Sequence, residues 1–152
     1  MYNGALAAAY AEEWWNRRNP AFPSFPVDCT NFISQCLLAG GLTMRGYPDR
    51  SRGWWLQGGQ WSFSWAVAHS MRWFLEEAAE RVTDASMLKI GDVICYDFEG
   101  DGVVDHTTIV TYIDQGVPYV NAHTNDSRRR LWTYSDSAAY TPSIRYYFFH
   151  LS

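Results

Sequence analysis

The sequence lacks what a membrane protein, a nucleic-acid binder or a disulfide-stapled scaffold needs. Its longest uncharged window, Trp54 to Met71, is broken by Gly, Gln, Ser and His, so no transmembrane segment is expected. Positive charge is scarce: Lys and Arg number 12 against 16 Asp and Glu, and the formal charge is −4. The one basic run is Arg128-Arg129-Arg130. Binding to a polyanion takes many Lys and Arg contacts to phosphate, so no nucleic-acid partner is expected. Met1 is followed by Tyr-Asn-Gly rather than a basic segment and an apolar core, so no secretory signal is read. This leaves a cytoplasmic setting, or a domain of a longer exported protein with targeting domains of its own. Cysteine is sparse as well. Cys29, Cys36 and Cys95 are too few for a disulfide framework, and an odd number leaves at least one free thiol.

What is present is globular. With 152 residues, 47% apolar and 18% charged, the chain fits a single domain, 1–152, with a core of its own. Gly4 to Arg18 predicts a helix stopped by Asn19-Pro20. Pro20, Pro23 and Pro26 predict an extended connector up to Val27. Phe32, Ile33, Cys36 and Leu37 recur at helical spacing after Cys29, with Asp28 as N-cap and Gly40-Gly41 as C-cap. Leu42 to Phe63 reads as a long irregular stretch, and Ser64 to Arg81 as a third helix. The pattern then changes. Val93–Tyr96, Thr107–Ile113 and Val117–His123 predict strands, with Asp114-Gln115-Gly116 as a hairpin loop. Leu131–Tyr134 and Ile144–Phe149 are further strand candidates. Helices followed by an antiparallel sheet give the α+β class.

Among the thiols, Cys29 stands apart. The first position of a helix offers free amide N–H groups and the positive end of the macrodipole, and both favour thiolate. Cys36 and Cys95 read as small buried hydrophobes. A reactive thiol needs a base. His69 falls inside a helix and His150 in an aromatic strand, so both read as structural. His106 opens a strand after a Gly- and Asp-rich turn. Asn121 and His123 are two apart on the next strand and share one face, so either could flank His106. A nucleophile, a base and a polar residue that orients the base make the arrangement of nucleophilic catalysis.

Other features carry less. Trp54, Trp55 and Trp61 could wall a substrate cleft, while Trp65 belongs to the core. Asp97 to Gly102 begins like a calcium loop, but Thr108 stands where the closing acid should be, so a polar turn is expected. A zinc hydrolase built on His106, His123 and an Asp is an alternative, but no HExxH or paired CxxC supports it. No cofactor or metal is called for.

The blocks Asp28-Cys29-Thr30-Asn31-Phe32-Ile33-Ser34-Gln35-Cys36, Gly91-Asp92-Val93-Ile94, Asp105-His106-Thr107-Thr108-Ile109-Val110-Thr111 and Ala122-His123-Thr124 occur in that order. Together they resemble the Putative amidase domain family, a branch of the papain-like, NlpC-type cell-wall cysteine peptidases and amidases. The resemblance runs from about Tyr10 to about Tyr147. It implies a papain-like core, Cys29 as nucleophile, His106 as general base, and His123 or Asn121 as the residue that orients the imidazole. NlpC-type enzymes carry an upstream Tyr at the oxyanion. Here Arg17, Arg18 and Asn19 stand in that neighbourhood, so Asn19 and the Cys29 backbone N–H are the expected donors. The implied activity is hydrolysis of an amide in peptidoglycan or a related peptide, in an extracellular or wall-side setting. Acyl transfer by the same couple, or an idle wall-binding module of the same fold, are the alternatives.

Overall fold

A computed structural model describes residues 1–152. Helix α1 spans Gly4–Trp14, capped by the Asn3 side chain, which accepts from the Leu6 N–H. It stops four residues short of the expected Arg18. The Trp14 carbonyl is taken by His123 and by the Arg17 N–H, so the ladder goes no further. An irregular connector leads to α2, Cys29–Ala39. Asp28 occupies the N-cap position, but its carboxylate makes no capping bond. At the other end Gly40 stays right-handed and Gly41 carries φ +90°. Leu42 N–H reaches Leu37 O and Gly41 N–H reaches Leu38 O, which is the Schellman pattern. Every residue from Cys29 to Leu37 is buried, so α2 is enclosed by the fold.

Leu42 to Phe63 is less irregular than expected. It holds a small hairpin, β1 (Leu56–Gln57) and β2 (Gln60–Trp61), and a bridge between Arg45 and Trp54. The expected third helix is split. Helices α3 (Phe63–Ala66) and α4 (Ala68–Ala78) are separated by Val67, which is extended at φ −117°, ψ 122°. Glu80–Val82 leaves the helix altogether as strand β3, drawn away by pairing with the last strand.

The remaining strands are β4 (Val93–Asp97), β5 (His106–Asp114), β6 (Val117–Ala122), β7 (Ser127–Leu131) and β8 (Arg145–His150). The six-stranded sheet runs β3-β8-β4-β5-β6-β7, antiparallel throughout, which makes the chain α+β. Strand β7 precedes the expected Leu131–Tyr134, and Tyr134 lies beyond it at φ +56°. The sheet separates two cores. Val93, Cys95, Ile109 and Phe149 face the helices with Phe32, Ile33, Leu37, Trp54, Trp65 and Met71. Ile94, Tyr96, Val110, Val120 and Phe148 face the other side, where Leu88, Phe98 and Tyr134 cover them. Cys36 and Cys95 are fully buried in the first core. The Gly91-Asp92 pair has a packing role. A Cβ on Gly91 would stand 2.3 Å from the Cα of Gly4, so α1 can cross there only over glycine. Asp92 accepts from the Lys89 and Leu151 N–H groups and pairs with His150.

Candidate active site

Cys29 enters at the first turn of α2, and His106 opens β5. The neighbours of the two residues join their elements. Thr30 Oγ1 lies 3.2 Å from Thr107 Oγ1 and 3.7 Å from Cys29 Sγ. Both Cys29 and His106 line one cleft of about 140 Å³, together with Val27, Asp105, Arg130 and Tyr134. Larger hollows of about 310 and 460 Å³ lie around Gly53 and Glu77, and neither holds a thiol or an imidazole.

The electrostatics run against the helix-start argument. Burial pushes the Cys29 thiol up from its ordinary value; hydrogen bonds from Thr30 and Thr107 pull it back only in part. Burial also pushes His106 down to about 3, and the nearby Arg130 charge adds to this. The resting pair is therefore a neutral thiol beside a neutral imidazole. The two are not hydrogen-bonded to each other: the sulfur meets Thr30, and His106 Nε2 lies 2.9 Å from the Tyr134 hydroxyl.

The expected orienting residues are elsewhere. His123 is 2% exposed and stacks on Phe32 at 3.8 Å. Its Nδ1 lies 2.8 Å from Asp28 Oδ2 and its Nε2 lies 2.8 Å from the Trp14 carbonyl oxygen. Both nitrogens are thus engaged away from His106. Asn121 Oδ1 accepts from Thr111 Oγ1 and the Arg129 N–H, and its Nδ2 donates to the Ala11 carbonyl. The two do share the helix-facing side of the sheet, as their spacing predicts. The side chain of Thr107 also faces the helices, so alternation turns His106 toward the other core. That parity separates His106 from Asn121 and His123.

Asn19 is not beside the thiol either. It donates to Tyr10 Oη, accepts from the Ala21 N–H, and lines a separate cavity of about 210 Å³ with Arg18, Asp28, Gln35 and His123. The amides next to the sulfur are those of Thr30 and Thr107. Trp54 and Trp55 are fully buried and wall no cleft. Trp54 stacks on Trp65 and donates to Ser34 Oγ, and Trp55 donates to the Asp49 carbonyl. Trp61 packs edge-on to Phe25 and lines none of the cavities. Trp54 and Trp55 are spent on the core, where a large aromatic face contributes most, and Trp61 packs against it.

No three His, Cys, Asp or Glu side chains converge as metal ligands. In the turn after β4, the Asp97 carboxylate accepts from the amides of Gly100, Asp101 and Gly102, which holds it as a polar turn. Sequence reasoning missed Tyr134, the one side chain that meets the His106 ring by hydrogen bond. No local signal marks it: it sits 28 residues from His106.

A family model described as Putative amidase domain matches residues 1–149. The chain is 58% identical to the Uncharacterized protein YhbB of Bacillus subtilis (strain 168), over 99% of this chain and 50% of that protein. It is 30% identical to the Uncharacterized protein YjcM of the same organism, over 95% of this chain and 37% of that protein. The chain thus spans half or less of the length of these relatives. No solved structure matches it.

Proposed function

Because the chain belongs to the Putative amidase domain family, we propose that it hydrolyses amide bonds with Cys29 as nucleophile and His106 as general base. The observation that carries this reading is the shared cleft. A helix-start thiol and a strand-start imidazole line one cavity of about 140 Å³, joined behind by Thr30 and Thr107. An NlpC-type, papain-like ancestry is part of the same proposal, as is a wall-side setting in a longer protein. Peptidoglycan peptides are the substrate class we propose.

In the mechanism, Cys29 Sγ attacks the amide carbonyl while its proton passes to the His106 nitrogen that Tyr134 leaves free. An S–C bond forms, and the carbonyl oxygen takes the negative charge near the Thr30 and Thr107 amides. Collapse breaks the C–N bond, and the departing amine leaves with the proton from the imidazolium. Water then attacks the thioester and gives a proton to His106. The carboxylic acid is released and the thiol regains its proton.

The test is release of amine and carboxyl ends from purified muropeptides, followed by mass spectrometry. Cys29→Ala and His106→Ala are each expected to lower turnover by at least about a hundredfold with the circular dichroism spectrum unchanged. Full activity in Cys29→Ala would overturn the proposal. One observation favours a second reading: the thiol is raised, the imidazole lowered, and no bond joins them. An idle wall-binding module would bind muropeptides equally in wild type and Cys29→Ala and cleave none.

A further inference from the structure

Tyr134 is 2% exposed, and its place is set from three directions. The carbonyl of Trp132 accepts from the Tyr96 hydroxyl of β4, at 2.8 Å. The carbonyl of Thr133 accepts from the Tyr146 hydroxyl of β8, at 2.6 Å. The Arg130 guanidinium lies 3.9 Å over the Tyr134 ring and pairs with Asp136. The residue itself is left-handed, a conformation that costs a non-glycine residue energy and persists only where the surroundings hold it. A buried tyrosine, a half-buried one and an arginine thus fix one phenol, and its oxygen meets His106 Nε2 at 2.9 Å.

We propose that Tyr134 is the positioning residue of the Cys29–His106 couple, accepting the Nε2–H of His106 and leaving Nδ1 as the nitrogen that takes the thiol proton. The inference rests on the reading of Cys29 and His106 given above. The chemistry follows from the inventory of the two groups. A neutral imidazole has one donor nitrogen and one acceptor nitrogen, and a phenol can meet either; with the phenol accepting from Nε2, Nδ1 is the ring's acceptor. The same bond persists when Nδ1 gains a proton, so the ring need not move during transfer. The phenol stays neutral, since burial pushes Tyr134 up to about 12. An uncharged partner orients the imidazole without the stabilisation of the imidazolium that a carboxylate would add. The other charged or titratable groups facing the imidazole are Arg130, Asp105 beside it, Tyr96 and Cys29.

The experiment uses the whole chain, with iodoacetamide as the probe of Cys29, and nitrogen-15 spectra of histidine-labelled protein. Wild type is expected to show His106 as the Nε2–H tautomer. Tyr134→Phe is expected to mix the tautomers and to slow Cys29 alkylation at pH 7 by about tenfold or more, with a shifted pH profile. A wild-type Nδ1–H tautomer would overturn the proposal even if the Phe variant fails to fold. So would a folded Tyr134→Phe that matches wild type in tautomer and rate while His106→Ala is slow; the Cys29–His106 reading then stands without Tyr134. If His106→Ala alkylates like wild type, the underlying couple is what fails.

Discussion

Cys29 stands where two effects of its position oppose. The start of α2 supplies amide donors that favour the thiolate, and burial disfavours it. Burial wins, because desolvating a charge costs more than the hydrogen bonds from Thr30 and Thr107 return. Native Cys29 is therefore expected to react with iodoacetamide at pH 7 more slowly than a cysteine in an unfolded peptide, and to keep speeding up with pH after the free thiol has levelled off. Peptide mass spectrometry over a pH series measures this; a thiol faster than the free one at pH 7 contradicts it. His106 has a consequence for stability. Its imidazole takes a proton near 6.5 when unfolded and only near about 3 when folded. Between these values the unfolded chain binds the extra proton. The contribution is complete above about pH 6.5 and is lost toward about pH 3, at up to about 1.4 kcal/mol per pH unit. Urea denaturation at pH 7 and pH 4.5 is expected to show a larger loss in wild type than in His106→Gln.

At the scale of elements, helix α2 was legible at both ends. Cys29 as first residue and the glycine pair as stop agree with the structure, because caps are local chemistry. Gly41→Ala is expected to cost about 1 kcal/mol, because an L side chain at φ +90° is strained. Gly91→Ala is expected to cost more, about 2 kcal/mol, since its Cβ would collide with the Gly4 backbone. Thermal unfolding of the two variants gives the order. The third helix ends short of Arg81 for a reason that lies outside its own residues. Glu80-Arg81-Val82 pair with Phe148-Phe149-His150, and the gain from that distant strand outweighs weak helical preference at a helix end.

At the scale of the whole molecule, Asp28 ties the helical half to the sheet. Its carboxylate takes Arg18 Nε at 2.8 Å and His123 Nδ1 at 2.8 Å, so the connector before Cys29 is anchored to the far end of β6. Asp28→Asn is expected to lower stability by about 2 kcal/mol, the scale of a hydrogen bond to a charged group. It should also quicken proteolysis between Asn19 and Val27; unchanged cleavage rates would show that the anchor does not hold that segment.

The sequence by itself determined the α+β order, the helix start at Cys29, the hairpin at Gln115-Gly116, and the ordered Cys and His blocks of the amidase domain family. All of these follow from local preference, periodicity or chain order. Tertiary structure decided what surrounds those residues. Trp54 and Trp55 went to the core because only packing sets which large aromatics a cleft can spare. Asn121 and His123 were drawn to Thr111, Ala11, Asp28 and Trp14, while strand parity sent His106 to Tyr134. Contacts between residues far apart in the chain depend on register and on which face of the sheet each helix covers. No window of sequence holds that information.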